Sequence, residues 1–386
     1  PYTPLHHLLL GAVGRPVVCT SGNLSEEPMA IDDADALRRL GPIADVFLVH
    51  DRPIVRPVDD SVVLPDDRPP GMRMVRRARG YAPEPLRTRR RLPVILAVGG
   101  HLKNTVALSI DDRIIVGSHV GDLDNPPAVA VHRRVVDDLL RFFRRAPACI
   151  ACDLHPDYAS TRVAEDLADR FGVPLVRVQH HEAHLAAVLA EAEHLDKALP
   201  PLPVLGVSWD GTGYGRDGTV WGGEFFLFDG ETIRRVGHLR RFRLPGGDKA
   251  VREPRRSALG VFYELEGEGA LAVPGVEFTD DESRLLLQAL SGGIASPQCS
   301  SMGRLFDAVA AVCGFRGSVG FEGRAAMFLE FAAERFLETT GSTSGRVPFV
   351  EPCHLVGDEP VVVDWEPTVR SLAEGIRGGL STEQAA

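Results

Sequence analysis

Cysteine is scarce, with six in 386 residues and one close pair, Cys149 and Cys152. Scattered this way, they do not form the closely spaced set of a secreted disulfide scaffold, so a reducing cytoplasm is the expected compartment. Long apolar runs are missing too. No stretch approaches the roughly 20 residues a membrane helix requires, and no basic-then-apolar leader opens the chain. We therefore expect no membrane contact. Positive charge is in deficit, 43 Lys and Arg against 53 Asp and Glu, net −10. That argues against an electrostatically driven nucleic-acid binder and leaves a small molecule or another protein as the expected partner.

The composition, 44% hydrophobic and 25% charged, is that of a globular protein with room for two or three domains. Because the chain starts at Pro1 rather than Met and stops at Ala386 soon after a helix-like run, we expect a piece of a longer protein. In the first part, the short apolar runs PVVCT (16–20), DVFLVH (45–50) and SVVL (61–64) read as strands and Asp32 to Leu40 as a helix. Arg68 to Pro93 is rich in Arg and Pro without sustained periodicity, and a domain junction is placed there.

Beyond it, PVILAVGG, NTVALSI and RIIVGSHV read as strands, with a turn at Asp111-Asp112 between the last two. Ala128 to Arg145, Ser160 to Phe171 and His180 to Glu193 have helical spacing, and ACIACDL and PLVRVQ read as strands between them. The alternation predicts mixed sheets covered by helices. PVLGVSWDGTGYGRDGTVWGGEFFLFDG then repeats the earlier layout of strand, glycine turn and strand. Two such units suggest two related lobes, the layout of the actin, Hsp70 and sugar-kinase superfold.

Two motifs carry the chemistry. In DGTGYG, Asp210 to Gly215, glycines let backbone N–H groups approach an anion, Thr212 adds a hydroxyl and Asp210 can hold a cation; a plain tight hairpin is the alternative. His180 and His184, four apart on a helix, share one face at about 5–6 Å between Cβ atoms, the spacing at which two imidazoles share one ion. They are equally readable as polar residues on an ordinary helix. His181 points elsewhere, and Glu182 is a surface or supporting group. Asp210 is the best third ligand, and a carboxylate with two imidazoles suits Zn or Fe.

Other features read more plainly. Cys149 and Cys152 belong to a buried strand, and Cys299 and Cys313 have no histidine pattern that would make either a nucleophile. TSGNLSEEP (Thr20 to Pro28) could cradle a nucleotide or cap a helix. HDRPIVRPVDDSVV gathers Arg52 and Arg56, which bind phosphate or form surface ion pairs.

Taken together, PYTPLHHLLL, TSGNLSEEP, HDRPIVRPVDDSVV and RRARGYAP resemble the later part of a YrdC-like domain, residues 1–88. HLKNTVALS, SHVGDLDN, CDLHPDYAST, QHHEAH, WDGTGYG, WGGEFF, LPGGDKAVREP, SSMGRLFDAVAAV and FEGRAAMFLE resemble a Kae1-like domain, residues 92–386. In this order the chain is similar to the HypF family, carbamoyltransferases of nickel-iron hydrogenase maturation. The resemblance implies an α/β fold and a two-site reaction. Carbamoyl phosphate and ATP, the latter with Mg, give carbamoyl-adenylate and pyrophosphate in the first domain. The carbamoyl group then passes in the second to the C-terminal cysteine of a HypE-type partner.

Carried over by motif, Ser21 and Asn23 with Arg52 and Arg56 would serve the first site. His180, His184 and Asp210 would bind the Zn or Fe ion and act catalytically, the ion holding and polarising the phosphate end of the intermediate. Gly211, Thr212 and Gly213 would lie beside the phosphates, and Gly246, Gly247, Asp248, Gly303 and Arg304 would line the same cleft. The family's acylphosphatase-like domain, zinc modules, early YrdC-like part and late metal-binding Asp have no counterpart in this sequence, and Arg324 stands where Gln is usual. An incomplete first site and a half-open metal shell are therefore expected. A related family transferring carbamoyl to a sugar hydroxyl, or a non-catalytic nucleotide-binding piece, are the competing readings.

Overall fold

The computed structural model describes residues 3–25, 27–67, 70–195, 201–340 and 351–386. Pro1, Tyr2, Glu26, Arg68 and Pro69, which belong to stretches singled out above, lie outside the described residues. The chain divides into two compact units, Pro1–Cys152 with Asp157–Val176, and Asp153–Pro156 with Arg177–Ala386.

The first unit begins with helices α1 (Pro4–Val13) and α2 (Asp33–Leu40) and the antiparallel pair β1 (Val62–Asp67) and β2 (Pro70–Arg76). Next come β3 (Pro85–Leu92), β4 (Ile95–Ala97), β5 (Ala107–Val116), α3 (Pro126–Phe143), β6 (Cys149–Asp153), α4 (Ala159–Phe171) and β7 (Leu175–Val178). Strands β3 to β7 form one sheet in the order β3-β5-β4-β6-β7. The run β5 folds back on itself at the expected turn. Asp111 has φ 53, and the flanking Gly117 N–H donates to the Val106 carbonyl at 2.8 Å. Leu96, Leu108 and Ile150 of the sheet pack with Val136 of α3 and Val163 of α4 to make the core.

Helix α3 shows how local sequence fixes an element. Asn125 caps it by accepting the Ala128 N–H, Pro126 and Pro127 fill the first turn, and Ala128, His132, Val136 and Leu139 form its buried face.

The second unit holds α5 (His180–His194), β8 (Val204–Tyr214), β9 (Val220–Phe228), β10 (Ile233–Leu239), β11 (Phe242–Arg243), α6 (Asp248–Arg252), α7 (Pro254–Glu266) and α8 (Asp280–Gly292). It continues with β12 (Gln298–Cys299), α9 (Met302–Val312), α10 (Arg324–Thr340), β13 (His354–Val356), β14 (Val361–Asp364), α11 (Glu366–Arg377) and α12 (Thr382–Ala385). The sheet runs β11-β12-β9-β10-β14-β13, with β8 paired to β9. Phe242, Phe262, Leu290 and Trp365 anchor its core.

Two expectations fail. PVVCT and DVFLVH are not strands. An extended segment becomes a strand only by pairing; neither run has a partner strand among the described residues, and Val18 is 98% and Val46 84% exposed. Conversely, the Arg- and Pro-rich stretch contains β2 and β3. The arginines of β3 hid it because it is an edge strand that pairs with β5 alone, where charged side chains are well tolerated.

Candidate functional site

Helix α5 starts directly after β7, and Gln179 fixes its first turn. The Gln179 side-chain oxygen accepts the N–H groups of His181 (2.7 Å) and Glu182 (3.1 Å). Its amide nitrogen must then face the other way, where it donates to Tyr214 O (3.2 Å) and to His181 Nδ1 (3.1 Å). His181, fully buried, therefore carries its hydrogen on Nε2, aimed at Asp210 Oδ2 at 3.5 Å. At that distance Nε2 makes no hydrogen bond, so His181 stands beside Asp210 as a buried neighbour and lies outside the cluster of possible ligands.

Three other donors converge. His180 Nε2 lies 3.1 Å from His184 Nε2 and 3.3 Å from Asp210 Oδ2, and His184 Nε2 is 3.6 Å from the same oxygen. Among the described residues this trio is the one His/Cys/Asp/Glu group with ligand atoms all within 4.8 Å of one another. Donors about 2.1 Å from a tetrahedral ion stand about 3.4 Å apart, so the spacing fits. So does the chemistry. Asp153 Oδ2 accepts the His180 Nδ1 hydrogen at 2.8 Å, leaving Nε2 as the atom that could ligate an ion.

The electrostatics agree. Burial works against the charged form of His180, but its bonds to Asp153 and Asp210 raise it to about 9. Burial likewise opposes ionisation of Asp210, and is outweighed by the rings of His180, His181 and His184 that face its carboxylate at 3.3–3.6 Å and by the Gly211 N–H it accepts, which hold the carboxyl far below the usual range. Asp153 is lowered by His180 and the His155 N–H against the same burial. Without an ion, a proton on His180 Nε2 occupies the place an ion would take, so ion binding must expel it.

This has a measurable consequence. The folded value of His180, about 9, exceeds its ordinary 6.5, so its contribution to stability is complete below pH 6.5 and lost as pH rises through 9. With chelator present, urea unfolding should show a loss on the order of 1–3 kcal/mol from this group between pH 6.5 and 9.5, part of the full shift being screened at the half-buried ring. His180→Gln should flatten that limb; an unchanged limb would place the titration elsewhere.

The glycines of DGTGYG divide their work. A Cβ on Gly213 would stand 2.4 Å from the His181 ring and one on Gly215 2.2 Å from Trp221, so these two serve packing. Gly211 faces Arg304, whose Nη2 lies 3.5 Å from the position of a Gly211 Cβ. Thr212 is exposed. Gly303, in the first turn of α9, packs against Gly211, where a Cβ would meet the Gly211 Cα at 2.9 Å. Arg304 is buried beside Asp307 at 2.9 Å, and burial raises Asp307 to about 6. Gly246, Gly247 and Asp248 form the turn that starts α6, with the Gly246 N–H on Ala295 O.

In the first unit, Ser21 and Asn23 line a cavity of about 310 Å³ together with Asp59, Arg76, Asp122 and Asp124. Arg52 and Arg56, expected nearby, do not join it. Arg52 lines a second cavity with Gly22 and His50, and Arg56 lines a third and donates to Asp138 at 3.0 Å. The sequence reading also missed Asp153 and the contact of His181 with Asp210. An acidic residue closing the apolar strand ACIACDL was the available signal for the first; the second depends on the Gln179 bond and had none.

The family matches define a protein that joins a YrdC-like to a Kae1-like domain, with the His/His/Asp corner in the Kae1-like part. Family matches follow the same order: residues 1–78 match the Sua5/YciO/YrdC family described as "Telomere recombination", 90–191 the "HypF Kae1-like domain", and 206–386 "Carbamoyltransferase, Kae1-like Domain, second subdomain". The chain belongs to the HypF carbamoyltransferase family.

It is 44% identical over 359 residues to Carbamoyltransferase HypF2 of Cupriavidus necator, covering 88% of this chain and 43% of that protein. It is 39% identical to Carbamoyltransferase HypF of Synechocystis, covering 96% and 48%. The chain thus spans under half the length of these relatives. The crystal structure of full-length HypF in the phosphate- and nucleotide-bound form superposes with a TM-score of 0.85 at 35% identity, over 100% of this chain and 58% of the other. No helix among the described residues is long and apolar enough to cross a membrane.

Proposed function

We propose that this chain carries most of the transfer site and part of the adenylate-forming site of an ATP-dependent carbamoyltransferase, its two domains meeting between residues 88 and 92. The observation that supports it most is the convergence of His180 Nε2, His184 Nε2 and Asp210 Oδ2 beside Gly211. In the first step water cleaves carbamoyl phosphate, giving carbamate and releasing inorganic phosphate. A carbamate oxygen attacks the α-phosphorus of ATP, which enters with Mg, and pyrophosphate leaves. In the second step a thiolate sulfur bonds to the carbamoyl carbon as the carbon–oxygen bond to AMP breaks. The acceptor is the C-terminal cysteine of a HypE-type protein, and the compartment is the cytoplasm.

The residues divide these tasks. Ser21 and Asn23 orient the nucleotide or carbamate from the first cavity. His180, His184 and Asp210 would hold a Zn or Fe ion, which would supply Lewis-acid polarisation of a phosphate oxygen. Asp153 keeps His180 aimed, and His181 stands beside Asp210. The N-terminus of α9 and the Arg304 guanidinium place positive potential beside Gly211, where a departing AMP phosphate gains charge. Thr212 is free to meet the phosphate from solvent, while Gly246, Gly247 and Asp248 line the approach. The relative that binds phosphate and nucleotide has a fold closely similar to this one.

ATP–pyrophosphate exchange dependent on carbamoyl phosphate tests the first step in the protein at its full natural length. Asn23→Ala should lower it about 100-fold, the usual effect of removing one well-placed donor. Exchange at the wild-type rate would make Asn23 a turn residue alone.

A further inference from the structure

Glu224 of β9 is wholly buried and is no neighbour of the histidines in sequence. Its Oε1 accepts the N–H groups of Gly222 (3.2 Å) and Gly223 (3.4 Å) and the hydroxyl of Ser300 (2.5 Å), and its Oε2 accepts Arg235 Nε–H at 2.6 Å. Arg235 is itself held over the Trp221 ring at 3.9 Å and against Asp217 at 3.3 Å. A buried ion pair contributes little stability over an apolar pair of the same size, so its presence here calls for another reason.

That reason lies one residue on. Ser301, also fully buried, shares its hydroxyl hydrogen between the carbonyls of Asp210 and Gly211, each at 2.8 Å, and accepts the Arg304 N–H at 3.1 Å. The backbones are in direct contact. A Cβ on Gly222 would meet Asp210 O at 2.6 Å and Ser301 Cα at 2.9 Å, and one on Gly223 would meet Ser300 O at 2.5 Å. With no side chain between them to absorb a shift, a displacement of Ser300 and Ser301 reaches the Asp210–Gly211 backbone.

We infer that Glu224 is a positioning residue for Asp210 and Gly211, acting through Ser300 and Ser301, and that this link sets how tightly His180, His184 and Asp210 hold a divalent ion. The second half rests on the ion-binding reading given above; the first does not.

The test uses two readouts on Glu224→Gln, Ser301→Ala and the double variant. Zn²⁺ titration against a chromophoric chelator should give affinities 10- to 100-fold weaker in each single variant, the usual cost of losing a supporting partner. The double variant should be no weaker than the worse single one, because both act on one path. Hydrogen exchange of the 208–215 backbone, without ion, should be faster in all three. Should Glu224→Gln fail to fold, Ser301→Ala carries both readouts.

Wild-type affinity and wild-type exchange in folded variants would overturn the inference, as would losses that multiply in the double variant. If the wild-type protein binds no Zn²⁺, the ion-binding reading falls. Hydrogen exchange then decides the positioning role alone, faster exchange supporting it and unchanged exchange overturning it.

Discussion

In the protein at its full natural length, the His180→Ala variant is expected to lose divalent-ion affinity by well over 100-fold and, on the proposed function, to lose carbamoyl transfer with it. Replacing a residue that only supports a ligand costs 10- to 100-fold, whereas on the proposed reading His180 is a ligand itself as well as the hub of the corner. Its Nδ1 bonds Asp153 and its Nε2 faces His184 and Asp210. Truncation leaves the buried Asp153 and the half-buried Asp210 without their common cation, a loss that strains the fold as well as the site. Asp153→Asn should show the graded effect, weakening ion binding by 10- to 100-fold while leaving His180, His184 and Asp210 in place. Isothermal titration with Zn²⁺ measures both. Wild-type affinity in His180→Ala would remove the histidine from the site.

Gly213→Val should be nearly as damaging, by a different route. The Gly213 Cβ position lies 2.4 Å from His181 Cε1 and 3.0 Å from Nδ1. The ring cannot yield, because Gln179 holds Nδ1 on one side and the chain of β8 carries Asp210 on the other. A branched side chain must therefore push out His181 and with it the first turn of α5, which presents His180. Overpacking of this kind costs about 3 kcal/mol or more. Urea unfolding should show that loss, and Zn²⁺ binding should fall in whatever protein remains folded. A variant of wild-type stability with intact binding would mean that His181 has no part in holding the corner.

Much of this was legible in the sequence because it is local. The four-residue spacing of His180 and His184 survives into the structure because α5 begins at His180, one residue after its Gln179 cap. Asp210 stands on β8 next to a glycine, as the pattern implied. What was hidden depends on tertiary contact. Asp153 reaches His180 from the end of β6, and His181, on a different face of the helix from its neighbours, meets Asp210 only because Gly213 leaves room for the ring. PVVCT and DVFLVH failed for the same reason in reverse: apolar character alone does not supply a strand with a partner. Arg52 and Arg56 sit near TSGNLSEEP in sequence and line other cavities.

The central claim is that His180, His184 and Asp210 form one ion site. Anomalous diffraction at the zinc edge, from crystals of the protein grown with Zn²⁺, tests it directly. One peak roughly 2.0–2.2 Å from His180 Nε2, His184 Nε2 and an Asp210 oxygen is expected. A peak elsewhere, or none at saturating Zn²⁺ with these three side chains ordered, would contradict it.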